Sequence, residues 1–180
     1  DYTGSLTVNA DMTDMDTHAN VNTITGGKGT SDTLNFVLGT ATTTLTATEL
    51  GGVTKIENFK VTDDKTSNDV AFTFTLSDNN ATYTSATVYE TLTFDATSIG
   101  ADSDTININA AAEVDGKIVL KGGAGANTLT LSSSANFGDT ITAGAGNDSI
   151  VIDASGDLTK ADSVDGGAGT DTLTTVGDAT

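Results

Sequence analysis

The chain has 180 residues, 36% of them hydrophobic, which is room for one or two domains with a real core; 25 acidic residues against seven basic ones give a formal charge of −18. That balance excludes nucleic acid and anionic lipid as partners and favours cations, which would relieve the self-repulsion of so acidic a chain. Without Cys there is no disulfide framework and no thiol nucleophile, and without a signal peptide or a run of 18 apolar residues nothing reads as membrane-inserting.

Threonine supplies a fifth of the residues, and Pro and Trp are absent. Thr, Val and Ile suit pleated strands and make poor helices, so the expected fold class is all-β. In residues 1–38 the alternation Ser5-Leu6-Thr7-Val8-Asn9-Ala10 predicts a strand. Asp11, Asp14, Asp16 and His18 follow, and they read as a solvated acidic turn because the glycine and closing Glu of an EF-hand loop are missing. The phrase Gly26-Gly27-Lys28-Gly29-Thr30-Ser31-Asp32-Thr33-Leu34 is a degenerate form of the glycine phrase of the last third of the chain, with one extra residue before its Asp; it reads as a further cation loop or as a structural turn, with Asn35-Phe36-Val37-Leu38 as the next strand.

From 39 to 100 the β pattern continues in a Thr-rich segment. Thr42-Thr43-Thr44-Leu45-Thr46-Ala47-Thr48 leads to Gly51-Gly52-Val53-Thr54-Lys55-Ile56-Glu57-Asn58-Phe59. Alternating runs follow at 71–76, 82–89 and 90–94, each with one face for burial. Most aromatic residues lie between 36 and 94, so the larger core side chains are expected there. The segment is expected to be a β-rich insertion or sandwich-like part, packed on the rest or continuous with it.

The region 101–180 is organised by a glycine phrase that occurs three times. It reads Gly122-Gly123-Ala124-Gly125-Ala126-Asn127, then Ala143-Gly144-Ala145-Gly146-Asn147-Asp148, then Gly166-Gly167-Ala168-Gly169-Thr170-Asp171. The copies start 21 and 23 residues apart, and between them lie weaker echoes, Asp139-Thr140-Ile141 and Asp162-Ser163-Val164. Glycines turn the chain with positive φ and direct carbonyl oxygens inward, while the Asp supplies a hard anionic oxygen. The apolar residues Ile106, Ile118, Leu129, Ile141, Ile150, Val164 and Leu173 alternate so that two steps make one coil of about 20–24 residues. This predicts a parallel β-roll or β-solenoid with the glycine loops stacked along one edge. A calcium ion between consecutive loops would be held by loop carbonyls and aspartates from both.

These phrases resemble the RTX calcium-binding nonapeptide repeats of proteins exported by type I secretion, found in toxins, proteases, lipases, adhesins and surface-layer proteins. The resemblance implies Ca²⁺ as the cofactor. It implies carboxylate ligands at Asp148 and Asp171, with loop oxygens from Gly122, Gly123 and Gly125, from Gly144 and Gly146, and from Gly166, Gly167 and Gly169. Asn127 replaces Asp in the first copy and keeps a carbonyl oxygen without the charge; Asp139 and Asp162 complete the candidate set by their Asp-x-apolar endings. The phrase around Gly51-Gly52-Val53 and Ile56-Glu57 is similar to a turn and strand recurrent in RTX-type surface-layer and adhesin chains.

No enzyme is expected. The single His lacks a nucleophile-elbow Ser or a zinc-motif partner, and the carboxylates cluster in turns beside Gly, Asn or Thr. The preferred expectation is a secreted, calcium-binding structural protein of the bacterial cell surface, such as a surface-layer, filament or matrix subunit that folds and self-assembles with Ca²⁺. Its partners are other copies of itself, with a cell-surface glycan as a second candidate. Two alternatives stay open. One is the calcium-binding C-terminal region of a type I-secreted enzyme or toxin. The other is an adhesin or ice-binding module built on Thr-x-Thr pairs such as Thr73/Thr75, Thr91/Thr93 and Thr128/Thr130, which are not expected to recur once per coil in one register.

Overall fold

The computed structural model describes residues 5–11, 23–27, 31–38, 43–63, 71–81, 83–85, 88–89, 91–100, 104–133, 137–153 and 158–175. Asp14, Asp16 and His18 of the acidic turn lie outside them.

Alternating, β-branched segments of three to six residues become the rungs of a two-sided parallel solenoid. One sheet stacks β1 (Thr7–Asp11), β3 (Thr33–Leu38), β6 (Asn58–Asp63), β10 (Thr91–Asp95), β12 (Lys117–Lys121), β14 (Thr140–Thr142) and β16 (Ser163–Asp165) in that order. The second sheet stacks β4 (Thr43–Leu45), β7 (Ala71–Thr75), β11 (Thr105–Asn109), β13 (Thr128–Thr130), β15 (Ser149–Ile152) and β17 (Thr172–Thr175). Every pairing within these two sheets is parallel, so the chain winds from one sheet to the other and advances one rung per coil.

Register places one inward side chain over the next. In the first sheet Val8, Leu34, Phe59, Phe94, Leu120, Ile141 and Val164 form one column. Opposite it stand Leu45, Phe74, Ile108, Leu129, Ile150 and Leu173. Burial is complete through the middle of both columns and fades at the last coil, where Leu173 is 52% exposed. The early coils hold the aromatic core expected there: Phe74 sits 4.7 Å from Phe94, and Phe36 5.4 Å from Phe59, centroid to centroid. The columns run through Ile108 and Leu120, two residues beyond the Ile106 and Ile118 of the sequence count, because turns of unequal length shift any fixed offset.

The described strands β4, β6, β7 and β10 of residues 39–100 pair within the same two sheets as the later coils. Their coils vary in length, from Thr33 over Asn58 to Thr93 over Asn58, and the longest carries the antiparallel hairpin of β8 (Tyr83–Ser85) and β9 (Val88–Tyr89). A short parallel pair, β2 (Ile24–Thr25) with β5 (Val53–Thr54), lines the same edge. The strand expected to run on through Thr48 stops at Leu45, and α1 (Ala47–Leu50) begins instead. Thr46 and Glu49 form a capping box that satisfies the first amides of that turn. Among the described residues no helix is long and apolar enough to cross a membrane.

Candidate cation site in the glycine loops

The three glycine phrases are the connections from the first sheet to the second, at 122–127, 143–148 and 166–171, and they lie one above another. Ala145 bridges Ala168 in parallel fashion, and the Ala168 N–H donates to Gly144 O at 2.9 Å. Stacking this close requires glycine. Gly144 and Gly146 both have φ of 109°, and a Cβ on them would lie 2.3 Å from Gly123 O and 2.6 Å from Gly125 O. Each loop therefore rests on the carbonyl oxygens of the one before it.

The acid that closes each loop reaches back by one coil. The Asn127 N–H donates to Asp148 Oδ1 at 2.7 Å, and the Asp148 N–H donates to Asp171 Oδ1 at 3.0 Å. The same device runs along the opposite edge. There the Leu6 N–H donates to Asp32 Oδ1 and the Asp32 N–H to Glu57 Oε2, both at 2.7 Å; further along, the Ile118 N–H donates to Asp139 Oδ1 and the Asp139 N–H to Asp162 Oδ1, again at 2.7 Å. Such bonds between a charged acceptor and a backbone amide are stronger than neutral ones.

Asn127 is buried, and its amide nitrogen is enclosed by oxygens of two loops. Nδ2 lies 3.2 Å from Gly123 O, 2.7 Å from Gly125 O, 3.1 Å from Ala143 O and 3.0 Å from Asp148 Oδ1. The orientation follows from the acceptors: turned over, the amide would present an oxygen to four oxygens. Its Oδ1 faces the Gly123 N–H instead, at 3.4 Å.

One coil on, register puts Asp148 where Asn127 stands. It too is buried, at 2% exposure, but its Oδ2 has no hydrogen-bond partner among the described residues. Burial pushes the Asp148 carboxyl above the usual carboxylate range; the Asn127 hydrogen bonds oppose the rise and the Asp171 charge adds to it. The register counterparts of the oxygens around Asn127 are the carbonyls of Gly144, Gly146 and Gly166 and the Asp171 carboxylate. An unpaired buried carboxylate oxygen among carbonyls is unfavourable unless a cation joins them. The donor set is all oxygen with two carboxylates, which suits a hard ion such as Ca²⁺.

Of the residues expected at the site, Gly122, Gly123, Gly125, Asn127, Gly144, Gly146, Asp148, Gly166, Gly167, Gly169 and Asp171 come together on this edge. Asp139 and Asp162 do not. They precede β14 and β16 on the opposite edge, where Asp139 Oδ2 accepts from the Ser132 hydroxyl and Asp162 Oδ2 from the Thr159 N–H. With both oxygens engaged, each serves as a structural clamp. Asp32 likewise accepts from Leu6 and Gly27 amides, in keeping with the structural turn expected around it.

A second acidic group escaped the sequence reading. Asp78, Glu113 and Asp115 bring carboxylate oxygens within 4.8 Å of one another. Glu113 is fully buried and accepts from the Gly116 N–H at 2.7 Å and the Asp115 N–H at 3.1 Å. Its carboxyl is pushed up to about 7, mainly by burial. Comparison with protein-family models, curated proteins and solved structures yields no match.

Proposed function

We propose that this is a secreted, calcium-binding structural protein of the bacterial cell surface, in which Ca²⁺ clamps the second glycine loop to the third and copies of the chain self-assemble into a layer, filament or matrix. The observation that carries the reading is the buried Asp148 Oδ2, an anionic oxygen without a donor among the described residues, at the register position where four oxygens surround Asn127 Nδ2 one coil earlier. Asp148 and Asp171 would supply the charge, and Gly144, Gly146 and Gly166 the neutral oxygens. Calcium would add charge compensation to a chain of −18. Its binding energy would appear as folding energy in the coils it joins.

The test is a calcium titration into chelated protein, followed by circular dichroism and light scattering, with Asp148→Ala and Asp171→Ala in parallel. A gain in β signal that both variants weaken, with growth in particle size, is the expected result. An unchanged spectrum and size across the titration refutes the proposal.

One observation favours the adhesin or ice-binding alternative as a second reading. Parallel pairing aligns Thr44, Thr73, Asn107, Thr128, Ser149 and Thr172 in a single rank on the outer face of the second sheet, with Thr75, Asn109 and Thr130 beside it. This uncharged strip would face a neutral, regular surface; retarded growth of ice crystals in dilute protein would favour it over the scaffold.

A further inference from the structure

We infer that Asn127 is a built-in substitute for the cation, closing the first loop on the second without metal, so that calcium governs only the coil that follows. The inference rests on the calcium reading above and assigns which part of the stack that metal controls. The four oxygens around Asn127 Nδ2 come from two successive loops and one carboxylate, and they lie 2.7 to 3.2 Å from a single atom. An amide has two N–H groups to share among those four acceptors, so the surroundings hold more acceptors than an amide needs. They have the character of a cation's ligand shell. They are also wider than calcium takes, since Ca–O distances are about 2.3–2.6 Å. The nitrogen fills the centre and its partial positive charge faces the Asp148 carboxylate, which serves the plugged step through Oδ1 and leaves Oδ2 over.

The chain thus carries two versions of one loop junction. With Asn, the junction supplies its own positive centre and every polar atom of the Asn127 side chain is engaged. With Asp, a second oxygen replaces the nitrogen and the junction acquires a buried acceptor that no donor among the described residues satisfies. One residue type therefore sets whether a coil closes unaided or waits for metal. The first glycine phrase departs from the repeat at the one position where the departure is chemically self-sufficient. The coils through the second glycine loop, joined by Asn127, form a metal-independent base, on which the last coil becomes ordered with calcium.

The test compares the full chain with Asn127→Asp and Asp148→Asn, measuring calcium stoichiometry by titration calorimetry and amide-exchange protection with calcium and with chelator. Asn127→Asp is expected to bind one more calcium than the wild type and to make protection over 140–152 calcium-dependent. Asp148→Asn is expected to bind one fewer, yet to keep residues 163–175 protected in chelator, which Asp148→Ala does not; this variant decides the matter should Asn127→Asp fail to fold. A wild type that takes up no calcium overturns the calcium reading and this inference together. A wild type that binds calcium, with no gain in Asn127→Asp and no chelator-resistant protection in Asp148→Asn, overturns the role of Asn127 alone.

Discussion

Acidity should stabilise this protein through Glu113, and the size of the effect follows from its surroundings. The carboxyl has no exposure to water, and its folded value of about 7 stands well above the ordinary 4.5. Below pH 4.5 it is protonated in both the folded and unfolded chain. As pH rises toward 7 the unfolded chain releases the proton while the folded one keeps it, so stability falls through that window and levels off above it. At about 1.4 kcal/mol for each pH unit the window is worth roughly 3 kcal/mol. The assay is urea denaturation at constant calcium between pH 5 and 8, comparing the wild type with Glu113→Gln. Glutamine keeps an acceptor for the Asp115 and Gly116 amides and presents an NH₂ to Asp78 and Asp115, so the variant should lose this share of the slope while contributions from other carboxylates cancel. Parallel pH profiles for the two proteins would refute the reasoning.

Phe94→Ala removes a buried ring that packs on Phe74, Phe59 and Phe36 and should destabilise by about 3–5 kcal/mol in chemical denaturation; a loss under about 1 kcal/mol would contradict the stacked aromatic core. Asp139→Ala leaves the buried Ile118 amide without its acceptor and should destabilise by about 1–3 kcal/mol with calcium stoichiometry unchanged. A lost calcium equivalent in that variant would return Asp139 to the metal site.

The later coils were legible because their turns are nearly equal in length. From Gly122 onward the glycine phrase marks each connection, and Leu129, Ile150 and Leu173 pair as its spacing predicts. The earlier coils hide their period behind the hairpin at β8–β9 and the helical turn at Ala47–Leu50, although the Thr46…Glu49 capping box was there to be read. The threonine rank was invisible for the same reason: spacing along the chain varies, whereas pairing between strands does not. Asp139 and Asp162 carry the same local ending as Asp148 and Asp171, and only the winding of the chain sends them to the other edge. Glu113 offered no local signal, because its burial comes from the Ala81 turn, remote in sequence. Asn127 could be read as a weakened ligand; that its nitrogen points inward depends on oxygens from the next coil.

The backward-reaching carboxylates make the joint between coils one-sided in its requirements. To this bond the receiving coil contributes a backbone N–H, from residues as unlike as Leu6, Asp32, Ile118, Asn127, Asp139 and Asp148, and at Asn127 a side-chain N–H as well. Any residue but proline can fill that role, and proline is absent from the chain. The incoming coil brings the carboxylate of this bond with it. Duplication, loss or exchange of single coils therefore preserves the bond whatever side chain precedes it, so a gene encoding such a protein can change its number of repeats without losing this contact.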